Sequence, residues 1–194
     1  QWINGDRILD TKVDDLLQSG LQNEYLNELL NFKEESIYNI RTAKVINLGS
    51  GPIFSSLTID LGSNDGIKKN LPIITTNGIV GKTILINEET SLVQTINDAN
   101  FRLSVKILPS EATGIMRFYN NDVFEIREIQ KNANIKIGDK VVTSGFSKIY
   151  PEGLNAGVVT EIIDNRGSFQ KVARLKNPYS ENYNLYVFVV QEQN

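Results

Sequence analysis

The 194-residue chain contains no histidine and no cysteine, with a single tryptophan and a single methionine. Without an imidazole there is no general base for Ser–His–Asp or Cys–His nucleophilic catalysis. Without imidazole and thiolate the usual zinc ligands are missing too. An absence of cysteine also suits an oxidising, extracytoplasmic compartment, where a free thiol is a liability. Long apolar runs are missing as well. The longest clear one, Leu185–Val190, has strand length, and no stretch reads as a signal peptide or a membrane span. The chain opens on Gln1, so the expectation is a soluble piece of a longer, anchored protein. Basic clusters are lacking: 20 Lys and Arg are spread along a chain of net charge -3, which argues against a nucleic-acid surface.

What is present divides into two patterns. From about Asp6 to Asn39 there is no proline and one glycine, Gly20. Apolar residues recur at Leu9, Val13, Leu16, Leu17, Leu21, Tyr25, Leu26, Leu29, Leu30 and Ile37, spacings that load one side of a helix. Asn4 or Asp6 can cap its start. At 1.5 Å per residue the helix extends about 50 Å, more than a small domain covers. Two arrangements suit such a stripe. One is self-association as a coiled coil through Leu9, Val13, Leu16, Leu17, Leu21, Leu26 and Leu30; the other is packing back onto the chain's own domain. Val13, Leu17, Leu21, Tyr25 and Leu29 advance by four each time, so the seam drifts instead of holding a heptad.

From Ala43 onward, short β-branched segments alternate with Gly, Asn, Asp and Pro clusters such as Asn64-Asp65-Gly66, Asn77-Gly78 and Asn165-Arg166-Gly167. About a dozen strands with no helix between them predict a mainly β fold of barrels or sandwiches. The region repeats itself. Ile67–Thr76 aligns with Ile135–Ser144 at an offset of 68 residues, and Val80–Ile84 resembles Ala156–Thr160 after a longer insert, Phe146–Asn155, in the second copy. The expected organisation is a helix over 1–40, a first barrel over 41–111 and a second over 112–194, with exchange of strands between the barrels left open.

Signals of chemistry dissolve on inspection. Gly78–Thr83 has a phosphate-loop flavour, but Thr76 stands where the first glycine belongs and the segment continues as strand. Asp60 and Asp65 flank turns, where Asp bonds to its own backbone. Ser144 with Lys148 could form a Ser–Lys pair only formally. No catalytic, metal or cofactor residues are assigned, and the chain is expected not to be an enzyme. Apolar and aromatic side chains in turns and loops, namely Phe118, Tyr119, Phe146, Ile149 and Tyr150, are either tucked into a barrel end or offered to a partner.

Thr58–Ile67, Gly78–Lys82, the block Gly138-Asp139-Lys140-Val141-Val142-Thr143-Ser144-Gly145 and Tyr150-Pro151-Glu152-Gly153-Leu154 resemble the rod shape-determining MreC family, in the family's order and over nearly the whole chain. The resemblance implies two small six-stranded-type β-barrels in tandem behind a coiled coil. It implies a non-catalytic scaffold of the cell-elongation machinery, on the periplasmic side, anchored in the inner membrane by a helix absent from this chain. The partners it implies are penicillin-binding protein 2, MreD, MreB and RodA, with self-association to a dimer or filament through the helix and through exposed strand edges. The competing expectation is a periplasmic adaptor of an efflux or secretion system, a class that sends its helices out and back as a hairpin.

Overall fold

The computed structural model describes residues 3–49, 55–176 and 186–191, with side chains from Leu17 onward. One helix, α1 (Ile3–Glu35), and the β region from Asn39 onward form separate compact units. In α1, Leu17, Leu21 and Leu30 are well exposed and Leu26 lies at the margin, whereas Leu29 is buried. Gly20 has open space where a Cβ would stand, so it serves no close approach. No helix among the described residues is long and apolar enough to cross a membrane.

Among the described residues the β region holds twelve strands. Those of the first half are β1 (Ile40–Leu48), β2 (Ser56–Ile59), β3 (Pro72–Ile74), β4 (Ile79–Ile86), β5 (Ser91–Thr95) and β6 (Leu103–Leu108). The second half carries β7 (Ala112–Asn120), β8 (Val123–Gln130), β9 (Lys140–Thr143), β10 (Asn155–Ile163), β11 (Gln170–Lys176) and β12 (Tyr186–Val190). They close into two antiparallel barrels with strand orders β1-β12-β3-β4-β5-β2 and β10-β11-β8-β7-β6-β9. Five consecutive strands, β1–β5, superpose in connectivity on β7–β11. The sixth stave of each barrel is exchanged: β6, which follows β5, closes the second barrel, and β12, which follows β11, closes the first.

Two strands lie across the boundary expected at 111/112, the exchange between barrels that the sequence left open. Leu103–Leu108 belongs to the second barrel, because it pairs in hairpin register with β7 and on its other side with β9. Leu103, Val105 and Ile107 are fully buried, while Ser104, Lys106 and Leu108 alternate outward. Tyr186–Val190 leaves the second half altogether and pairs with β1 and β3. Val187 and Val189 join the first barrel's core of Ala43, Leu57, Ile59, Ile73, Val80 and Val93. The expectation of exposed strand edges also gives way, since closure pairs the edges that strand addition would need.

The repeat is carried by equivalent hydrogen bonds. Asn70 N–H donates to the Thr83 carbonyl (2.8 Å), and Thr83 N–H donates to Leu71 (3.0 Å). In the second copy Gly138 N–H donates to Val159 (2.8 Å), and Val159 N–H donates to Asp139 (2.9 Å). Asn70 and Gly138 both take the left-handed conformation, at φ 67° and 93°. Ile73 pairs with Gly81 as Val141 pairs with Gly157. Gly81 is required there: a Cβ would meet the Gln94 carbonyl oxygen at 2.0 Å.

Two outcomes follow. A chain ending at Lys176 lacks the first barrel's sixth stave. Its amides in Ile40–Lys44 and Ile73–Ile74 are expected to lose hydrogen-exchange protection, while those of β6–β9 keep theirs. Gly20→Ala, free of contacts, is expected to stabilise α1 by about 0.5–1 kcal/mol, read by thermal unfolding in far-ultraviolet circular dichroism.

Candidate partner-binding surface

The second barrel differs from the first in one connection. In the first copy β3 turns into β4 directly, with Thr75 N–H bonded to the Gly78 carbonyl at 2.8 Å. In the second, Thr143 N–H bonds to the Leu154 carbonyl at 2.9 Å, and the loop between them is eight residues longer. Thr143, fully buried, organises that loop. Its carbonyl accepts from Gly153 N–H, its hydroxyl accepts from Leu154 N–H at 2.9 Å and donates to the Pro151 carbonyl. Lys106 on β6 reaches over to pair with Glu152. The Ser144 hydroxyl bonds to that of Ser104 and accepts from Phe146 N–H, a structural pattern that uses nothing of Lys148.

The predicted surface residues separate on this frame. Phe146 projects outward at 76% exposure, Ile149 is half-buried, and Tyr150 is buried at 4%. Tyr150 packs edge-on against Phe101 with ring centroids 6.2 Å apart. It is an interior residue and not part of an accessible surface. Its phenol oxygen is buried with no hydrogen-bond partner among the described residues, and burial raises its pKa above the ordinary value near 10. Phe118 is half-buried, edge-on to Phe124 at 5.8 Å. Tyr119 is exposed, with the Arg174 guanidinium 4.7 Å from its ring centre.

Arg174 links three strands of this outer face. It donates to Glu125 on β8 at 3.2 Å and to Glu161 on β10 at 3.0 Å, and these carboxylates hold its pKa up. Glu125, a buried carboxylate, also receives both donors of Arg127. Here a carboxylate leaves water only with two guanidinium partners, as its desolvation requires. The sequence reading missed this network, and it missed the exposed Val158, Ile137 and Phe169. Alternation offers a signal for strand positions, but the bulge between Asn155 and Gly157 resets which of Val158 and Val159 faces out.

On the helix, Leu17, Leu21, Leu26 and Leu30 are the exposed members of the predicted seam. Leu9, Val13 and Leu16 lie outside the residues whose side chains are described. Among the described residues no group of carboxylates forms a metal cluster. Asp65 instead accepts from Gly62 N–H within its own turn and pairs with Arg41, whereas Asp60, expected to bond within its own turn, accepts from Lys44 N–H of β1 and ties the end of β2 to that strand.

A helix followed by two strand-exchanged six-stranded barrels, with its unsatisfied apolar side chains on outer faces, defines a surface-presenting structural protein. The family model described as "Rod shape-determining protein MreC, barrel core" matches residues 45–191. The cell shape-determining protein MreC of Listeria monocytogenes is 28% identical over 91% of this chain and 61% of its own length. A solved MreC structure superposes with a TM-score of 0.82 at 26% identity, covering 89% of this chain and 98% of the other. Two more distant structures share the fold. One, at 23% identity, TM-score 0.69 and coverage of 82% and 100%, is the major periplasmic domain from the cell shape-determining filament MreC. The other, at 21% identity, TM-score 0.66 and coverage of 79% and 99%, is a complex between penicillin-binding protein PBP2 and MreC from Helicobacter pylori. The chain belongs to the MreC family of cell shape-determining proteins. It spans about three fifths of the length of the Listeria relative. Family membership displaces the efflux- or secretion-adaptor reading.

Tyr150 gives a prediction with a worked sign. A phenol whose folded pKa is raised contributes fully below its unfolded value near 10, and that contribution is lost as pH rises past it. Tyr150→Phe is expected to match or exceed the parent's stability at pH 7, because it removes a buried hydroxyl without a partner. Its margin over the parent should then widen above pH 10, measured by urea unfolding from pH 7 to 11.

Proposed function

We propose that this chain is the periplasmic part of a non-catalytic scaffold, anchored in the inner membrane by a helix outside this sequence, that organises peptidoglycan synthesis during cell elongation. Its principal partner is the elongation transpeptidase, penicillin-binding protein 2. MreD, MreB and RodA are further partners of the assembled machinery. The observation that carries this reading is an aromatic side chain, Phe146, about three-quarters exposed on a loop that Thr143 fixes from beneath. Fixing a loop in advance removes part of the ordering cost of association, so one exposed aromatic there can anchor an interface. Tyr119, braced by Arg174, offers a second anchor on the same barrel. The H. pylori complex supports the choice of partner by family likeness.

The helix supplies self-association in this proposal. Leu17, Leu21, Leu26 and Leu30 place apolar area in water that a second copy would cover. Pairing would yield a dimer, with further stacking into a filament a step that needs contacts between barrels.

The test is binding of this chain to the purified periplasmic region of penicillin-binding protein 2 by surface plasmon resonance. Phe146→Ala is expected to weaken binding about tenfold or more, as loss of an aromatic anchor does. Leu85→Ser, at an exposed position on β4 of the first barrel, should leave it unchanged. Undetectable binding by the parent chain, or equal binding by Phe146→Ala, would sink the assignment.

A further inference from the structure

The end of the long second-copy loop meets the first barrel. Asn155, at its end, donates from Nδ2 to the carbonyl of Asn77 in the first barrel's β3–β4 turn, at 2.6 Å. Its Oδ1 accepts from Gly157 N–H within the second barrel, which fixes the amide's orientation. Gly78, next in that turn, stands so close that a Cβ would meet the Asn155 carbonyl oxygen at 2.5 Å, and its φ of 153° disfavours any side chain. The two turns in contact are the equivalent connections of the two copies. The crossing segment between barrels is pinned as well: Phe101 N–H bonds to Asp98, Asp98 N–H bonds to Thr95, and buried Phe101 packs on Tyr150 of the same loop.

We infer that the extra length of the second copy's loop is a strut between the barrels, with Asn155 and Tyr150 as the residues that position one barrel against the other. Strand exchange alone ties the barrels by their chain crossings and leaves a swivel between two closed bodies. The Asn155–Asn77 bond and the Gly78 contact lie away from those crossings in sequence and oppose the swivel. Any surface spanning both barrels is then presented preformed. The inference stands whichever partner uses that surface.

The chain has no native cysteine, so spin labels go only where cysteines are introduced. Glu89→Cys and Arg166→Cys, both at exposed turns, report the distance between barrels by pulsed dipolar spectroscopy. The parent should give one narrow distribution. Asn155→Asp keeps the shape but loses the donor, and should at least double the width. Gly78→Ala should shift the mean or broaden the distribution, and gives a second reading if the first variant folds poorly. Phe146→Ala, altered on the outer side of the same loop, should match the parent. A broad parent distribution, or parental widths in both Asn155→Asp and Gly78→Ala, overturns the strut. Equal broadening by Phe146→Ala overturns its assignment to Asn155.

Discussion

Closing a small antiparallel barrel requires a partner for both edges of its sheet, and each copy of this repeat supplies only five consecutive strands. The sixth comes from the connection between copies in one case and from the C-terminal segment in the other. An open five-stranded sheet would leave two rows of unpaired N–H and C=O groups and a half-covered core. The second barrel closes from the contiguous run β6–β11, whereas the first cannot close until β12 returns from the far end of the chain. Long-range pairing of Ile40 with Val190 and of Arg41 with Val189 brings residues about 150 positions apart into register. The entropy of that closure is recovered only once Val187, Phe188 and Val189 are buried, which couples the end of the chain to the first barrel's core.

Given closure, the inner positions of the strands are committed to packing, and function is confined to the outside and to the loops. The first copy keeps a two-residue reversal after Thr75 and buries Thr83, whose hydroxyl bridges Leu71 N–H and the Lys68 carbonyl. The second replaces Thr83 by Val159 and moves the polar duty to Asp139, whose carboxylate takes Lys136 N–H. Its reversal after Thr143 is drawn out into the long loop. Divergence thus occurs where the barrel tolerates it, at connections, while the register around Gly81 and Gly157 stays the same.

Much of this was legible in the chain. The repeat, the hairpin at Asn77-Gly78, the turn role of Asp65 and the succession of short strands follow from period-two alternation and turn chemistry. The exchange of β6 and β12 was not legible as an assignment. Alternation shows that Leu103, Val105 and Ile107 face a core, but not which of two similar cores. That choice depends on pairing with Met116 and Thr143, contacts no local pattern encodes. The surface was half legible. Phe146 and Tyr150 belong to one loop and carry the same kind of signal, yet one is in solvent and the other under Phe101. What separates them is the set of bonds around Thr143, and those depend on a fold already closed.

That separation bears on how the proposed scaffold could act with specificity through its surfaces. A flexible aromatic loop would bind many partners weakly, because ordering it costs part of every contact made. Here the loop is ordered before any partner arrives: Thr143 holds its base, Lys106 its middle and Asn155 its end. A separate bond at the end of this loop, from Asn155 to the Asn77 carbonyl, ties the second barrel to the turn of the first. Under the proposed strut, one loop would then orient both the exposed aromatic and the neighbouring barrel. A partner recognising Phe146 would meet the first barrel at a defined angle, so selectivity could reside in the pairing of two surfaces, neither of which need bind tightly alone.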